Sequence, residues 1–177
     1  MEKRTNSRSA RAVLVLAVSI GVVAAFAGWA GAGSTRTVRT VGDETFVANA
    51  KVMATLKFAP GQVVVESGNE VTWSHDDRTS APHTVSILDA SDLPGSIEEV
   101  FECVICNEFG AAHFGPDFGG PFTPVVDVGA PGFDQAGDSV FFEHGEAFTM
   151  MISAPPGSTL AYFCAIHPWM QGTIKVR

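Results

Sequence analysis

The chain is poor in cysteine, poor in basic side chains and almost without tyrosine: three Cys, 11 Lys plus Arg and one Tyr among 177 residues. Three cysteines are too few for a dense disulfide framework, and an odd count leaves one thiol without a partner. Beyond the first eleven residues Lys and Arg are scattered, and the net charge is −8. Nucleic-acid binding, which needs clustered cations against phosphates, is excluded on that ground. Helical periodicity is missing too: outside an apolar run near the N-terminus, no segment repeats its apolar residues at helical spacing. No internal repeat is visible.

What is present begins with Lys3, Arg4, Arg8 and Arg11 against a single acid, Glu2. An apolar run from Ala12 to about Ala27 follows, then the small residues Gly28 to Gly33. That order describes a secretory signal peptide over residues 1–32, with Ala30-Gly31-Ala32 as the cleavage site. The length of the run leaves an uncleaved N-terminal membrane anchor as the alternative. No Arg-Arg pair marks a twin-arginine signal and no cysteine near the boundary marks a lipid anchor. Either reading places the remainder outside the cytoplasm, as a secreted, periplasmic or cell-surface domain. Residues 1–32 hold four of the 11 bases and one of the 19 acids, leaving 7 against 18, a net of −11. Such a surface accommodates a basic protein partner.

Residues 33–44 read as a linker or a weak first strand, and the domain proper is expected over 45–177. From Thr45 onward, β-favouring runs alternate with Gly, Pro and Asn punctuation. Strands are expected at Lys51–Phe58, Gln62–Glu66, Glu70–His75, His83–Leu88, Ala147–Ser153, Thr159–Cys164 and Thr173–Val176. Short strands at close spacing indicate an all-β sandwich or barrel. The exception is a long irregular insertion at about 89–137. Between Pro94 and Gly137 it holds eight glycines and five prolines with six phenylalanines, and the aromatics favour a packed excursion over disorder. Ser96-Ile-Glu-Glu-Val-Phe is expected to form one or two helical turns.

The chemistry concentrates in Tyr-Phe-Cys-Ala-Ile-His-Pro-Trp-Met, residues 162–170. Cys164, His167 and Met170 offer a thiolate, an imidazole and a thioether directly after a strand. A soft sulfur set with imidazole suits copper, and two His with one Cys in a plane and a weak axial Met make a blue-copper site. This stretch supplies three of the four donors. His83 is the best candidate for the fourth, because it opens a strand after Ala81-Pro82 at a loop end of the sandwich. Metal ligation would also occupy the unpaired Cys164 thiol.

With these residues in view, the chain resembles the cupredoxins, the family of plastocyanin and amicyanin. Phe58-Ala-Pro-Gly-Gln through Glu70-Val-Thr-Trp73 resembles the family's early strands, Ala81-Pro82-His83-Thr84-Val85 its first ligand loop, and Gly145–Thr149 with Tyr162–Met170 its last strands and second ligand loop. The likeness covers roughly residues 50–88 and 140–177, and the short Cys-to-Met spacing is nearer to amicyanin than to plastocyanin. It implies a Greek-key β-sandwich of antiparallel strands holding one type 1 copper, with His83, Cys164 and His167 in the plane and Met170 axial. It further implies a non-enzymatic electron carrier between redox partners, with His167 near the surface passing the electron beside Pro168 and Trp169. The alternatives are copper storage, delivery or sensing, or an accessory subunit of a copper enzyme. One departure matters. Members often carry Asn after the first His, bridging the two ligand loops, and Thr84 stands there instead; a weakened or absent bridge is expected.

For Cys103 and Cys106, a C-x-x-C pair, a disulfide is the expectation from compartment. A second metal site with His113 and Glu102 or Glu108 is the alternative. Asn107 stands where a c-type haem needs His. His75 and His144 are expected to be solvated. Asp89, Asp92, Glu98, Glu99, Glu102 and Glu108 form an acidic run, read either as a solvated loop face or as a docking surface for a basic redox partner.

Overall fold

The computed structural model describes residues 36–177; the expected signal or anchor at 1–32 lies outside them. Among the described residues no helix is long and apolar enough to cross a membrane. In chain order the strands are β1 (Arg36–Val41), β2 (Glu44–Val47), β3 (Lys51–Ala54), β4 (Lys57–Ala59), β5 (Gln62–Val65), β6 (Glu70–His75) and β7 (His83–Leu88). Two helices follow, α1 (Ile97–Phe101) and α2 (Val104–Phe114). Then come β8 (Val125–Val126), β9 (Ser139–Phe142), β10 (Ala147–Met151), β11 (Thr159–Phe163) and β12 (Gln171–Val176).

Two sheets face each other, one ordered β10-β6-β1-β4 and the other β5-β12-β11-β7-β9-β8, with β2 and β3 forming a separate hairpin. Both sheets turn an alternating set of apolar side chains inward, the pattern of a sandwich interior. Trp73 fills its middle. It stacks on Phe148 at 5.2 Å between ring centres and meets Phe133 and Tyr162 edge-on. Gly172, opposite Tyr162 on the neighbouring strand, lies directly under the Tyr162 ring, where any side chain would collide with it. This is the β-sandwich the sequence leads one to expect, with three corrections.

Residues 36–41, expected as a linker or a weak first strand, are an interior strand: β1 pairs parallel with β6 and antiparallel with β4. Val38 is fully buried between the sheets, and the single inward Val and Thr of Arg-Thr-Val-Arg-Thr-Val gave only a weak signal. The domain therefore begins before residue 45. The sandwich is also mixed rather than wholly antiparallel, since β5 pairs parallel with β12 as well. Finally, Lys51–Phe58 is two strands. Gly42, at φ +124°, packs against the Thr55–Leu56 backbone and lets the β2–β3 hairpin fold out before β4 rejoins the sheet.

The insertion is less irregular than its composition suggests. Ser96 caps α1 by accepting from the Glu99 amide at 3.2 Å, the N-cap chemistry its hydroxyl favours. The structure joins Cys103 to Cys106 as a disulfide at the start of α2. Helix α2 was invisible to periodicity because it buries only Phe109 and His113, one turn apart. Phe109 packs edge-on against Phe163 and, with Leu88 and Ala161, forms a second small core outside the sandwich. That layer explains why all six residues of β7 are buried. Val85 and Ile87 face the main core, while the alternate Thr84, Ser86 and Leu88 are covered by the insertion instead of water.

Candidate metal centre

The ends of β6, β7 and β11 meet at one pole, which brings the two ligand loops together across 81 residues of chain. The Nδ1 atoms of His83 and His167 lie 3.2 Å apart, and the Cys164 sulfur is 3.7 Å from the first and 3.6 Å from the second. Three atoms bonded to one central ion in a plane, at about 2.0 Å for nitrogen and about 2.3 Å for sulfur, would be separated by roughly 3.5 to 3.8 Å. The donor triangle is close to that size without any rearrangement. All three residues are buried.

Met170 is buried at the same pole, and its backbone closes the loop around the site. The Cys164 amide donates to the Met170 carbonyl at 2.9 Å, and the Met170 amide donates to the His167 carbonyl at 2.8 Å. The Thr84 amide points at the Cys164 sulfur from 3.3 Å, supplying a donor to a thiolate. His83, Cys164, His167 and Met170 together form a type 1-like arrangement.

Asp77, which sequence reasoning missed, fixes the His83 ring. His83 Nε2–H donates to Asp77 Oδ2 at 2.8 Å, leaving the Nδ1 lone pair turned toward Cys164 and His167. The other carboxylate oxygen accepts from the Thr79 amide and hydroxyl at 2.9 and 2.7 Å. An Asp two residues before Thr in a loop is an Asx-turn signal that could have drawn attention to it. Burial pushes the Asp77 carboxyl up, but hydrogen bonds from Thr40, Thr79 and His83 outweigh it and bring its pKa down to about 2. Burial takes His83 from 6.5 to about 4 against the opposing pull of Asp77. Burial also lowers His167, opposed by Glu44 and Asp77, and raises the Cys164 thiol, opposed by the Thr84 amide. Without metal the site at neutral pH is therefore two neutral imidazoles and a protonated thiol, so a metal must displace the thiol proton on binding.

His75 is a correction. It is buried rather than solvated, with Nε2–H donating to the Ala81 carbonyl at 2.9 Å and Nδ1 lying 3.7 Å from Asp77 Oδ2. His75, Asp77 and His83 also come close enough for a second donor group. However, His83 Nε2 carries the proton given to Asp77 and cannot ligate at the same time, so this group supports the first rather than forming another centre. His144 is exposed as expected.

The alternative second site in the insertion is not assembled. Cys103 and Cys106 are bonded to each other, and both ring nitrogens of His113 have protein partners, the Thr123 carbonyl at 2.6 Å and the Ser139 hydroxyl at 2.8 Å. The expected weakness at Thr84 is likewise overturned. Its hydroxyl accepts from the Ala165 amide at 2.8 Å and so bridges the two ligand loops in place of an Asn. His167 is only 6% exposed, because the β2–β3 hairpin places Glu44 Oε1 3.7 Å from its Nε2. The Trp169 ring lies against its other side at 5.4 Å.

No protein-family model matches the chain, and no curated protein matches it. Solved structures do. The chain is similar to a purple cupredoxin from Nitrosopumilus maritimus (16% identity, 80% of this chain and 99% of that one, TM-score 0.43). It is also similar to an auracyanin from Roseiflexus castenholzii (15%, 83% and 99%, TM-score 0.43). A third is auracyanin A, a "blue" copper protein from Chloroflexus aurantiacus (17%, 81% and 99%, TM-score 0.44). Likenesses this distant do not assign a function; the donor geometry is what bears on it.

Proposed function

We propose that the domain holds one type 1 copper through His83, Cys164 and His167, with Met170 as the weak axial donor, and carries single electrons between redox partners outside the cytoplasm. The observation that carries this reading is the buried triangle of two Nδ1 atoms and one Sγ, already at the spacing one small ion requires. Copper, when bound, supplies the one-electron couple. The chain's own residues do the rest. The Asp77 carboxylate keeps the His83 ring from rotating, and the loop hydrogen bonds between Cys164, His167 and Met170 keep the second ligand loop from opening. A donor set that cannot relax costs little reorganisation when an electron arrives or leaves.

His167, Trp169 and the hairpin supply the route to the surface. Beside the ligand loop, Phe101, Glu102, Ile166, Pro168 and Trp169 line part of a groove of about 420 Å³. Its exposed Phe101, Ile166 and Trp169 beside Glu102, on a chain of net charge −8, suit a partner with a basic contact face.

The test is to load the purified protein with copper and record its visible absorption and paramagnetic resonance. An intense thiolate-to-copper band, reversible one-electron cycling with the metal retained, and loss of the band in Cys164→Ser are expected. A colourless copper-loaded protein refutes the type 1 reading, and release of copper on reduction would assign the protein to copper delivery instead.

A further inference from the structure

The β2–β3 hairpin stands outside both sheets and has no buried residue of its own. Phe46 and Val52, paired across its two strands, are 76% and 78% exposed. The hairpin adds nothing to the sandwich core, so burial of apolar surface does not account for it. Its neck is nonetheless fixed. The Asp43 amide donates to the Thr55 hydroxyl at 3.0 Å, the Thr55 amide donates to the Asp43 carbonyl at 2.9 Å, and the Arg78 amide donates to the Gly42 carbonyl at 3.2 Å. Glu44, the first residue of β2, leaves that neck with its carboxylate 3.7 Å from the outer nitrogen of His167.

Both candidate ligand imidazoles thus have a carboxylate at Nε2, Asp77 on His83 at 2.8 Å and Glu44 on His167 at 3.7 Å. The first contact is a hydrogen bond. The second is too long for one, so Glu44 acts there as a charge. That charge is not neutralised elsewhere. Arg78 reaches Asp43 at 4.0 Å and Arg39 reaches Asp76 at 3.3 Å, and among the described residues the ion-pair partner of Glu44 is His167 alone. The His167 side chain is 7% exposed against 40% for Glu44, so solvent screens the pair only in part.

We propose that Glu44 is a positioning residue of the metal centre, its carboxylate at His167 Nε2 stabilising a divalent ion on the donor triangle and holding the reduction potential down. This rests on the type 1 copper reading. A negative charge beside a ligand ring makes that ring a stronger donor, and by Coulomb attraction it favours the more positive of two charge states. Removing the charge therefore favours the reduced state. Loss of a hydrogen-bonded outer carboxylate weakens metal binding by about 10- to 100-fold. At ion-pair distance and partly in solvent, Glu44 is expected to act at the lower end, about tenfold.

Two measurements on the full chain test this. Zinc(II), a redox-silent dication that takes the same nitrogen and sulfur donors, is titrated into the metal-free protein against a competing chelator. In the copper-loaded protein the reduction potential is recorded. Glu44→Gln keeps the side chain's shape and removes its charge; it should bind zinc about tenfold more weakly and have a higher potential than wild type. Glu44→Asp keeps the charge on a shorter arm and should fall between the two in both measurements. Glu70→Gln removes the same charge at the far end of β6 from His75. That is roughly 17 Å along the strand, beyond a Debye length of about 8 Å, and this variant should match wild type. A zinc affinity or a potential unchanged in Glu44→Gln, or moved as far by Glu70→Gln, overturns the proposal. Weaker zinc binding in Glu44→Gln together with a colourless copper-loaded protein overturns the copper reading and upholds the carboxylate's role at a divalent ion.

Discussion

Removing the ability of His83 to take a proton should change how the metal-free protein responds to acid, and by an amount the structure sets. His83 is wholly buried, and its pKa falls from 6.5 unfolded to about 4 folded. A depressed histidine is a destabilising group in acid: between those values the unfolded chain binds a proton that the folded one refuses. Stability is therefore unaffected above about pH 7 and falls as pH drops from 6.5 toward 4. At about 1.36 kcal/mol per pH unit, the fall from 6.5 to about 4 makes the full effect about 3 kcal/mol. For a domain of this size that is roughly 6 to 12 °C in Tm. Burial also shifts other groups, His113 and His167 in the same direction as His83 and Asp138 in the opposite one, because burial raises its carboxyl. They cancel if wild type is compared with His83→Gln at each pH. Urea unfolding of both metal-free proteins between pH 7 and pH 4 should show the difference in their stabilities changing by about 3 kcal/mol, with wild type losing ground in acid. A difference that stays constant within about 1 kcal/mol would refute the assignment of His83 as a buried neutral imidazole.

Two further outcomes follow from packing. Gly172→Ala sets a methyl group into the Tyr162 ring beneath Trp73 and should destabilise by about 1–3 kcal/mol in thermal unfolding, the usual cost of overpacking a tight core. The Cys103–Cys106 disulfide closes a loop of four residues and sits in the insertion's own small core. Cys103→Ser with Cys106→Ser should lower stability by about 2 kcal/mol, measured the same way. The visible band of the copper-loaded protein should be unchanged by that pair, since neither residue touches the donor triangle.

Much of this was legible in the chain because the relevant signals are local. The strand of Thr159–Cys164 and the Cys-Ala-Ile-His-Pro-Trp-Met run place three donors on one loop by spacing alone, and Pro82 before His83 marks the other loop. Glu70–His75 and His83–Leu88 were readable as strands from their β-favouring residues and the turn residues between them, and the structure has strands at both. The rest was decided by contacts between segments distant in sequence. Alternation tells which residues of β7 share a face, but not that the second face is roofed by α2; that depends on Phe109 finding Phe163. A helix that buries two residues leaves almost no periodic trace. Asp77 looks like a loop polar residue and His75 like a solvated strand end until the sandwich pole closes over them and makes one carboxylate the partner of His83. Thr84 differs from an Asn in every local respect, yet its hydroxyl meets the Ala165 amide because β7 and β11 are neighbours in one sheet. Residue chemistry therefore determined which metal the chain suits, while the tertiary structure determined what holds the ligands, because burial and hydrogen-bond partners exist only once the sheets have packed.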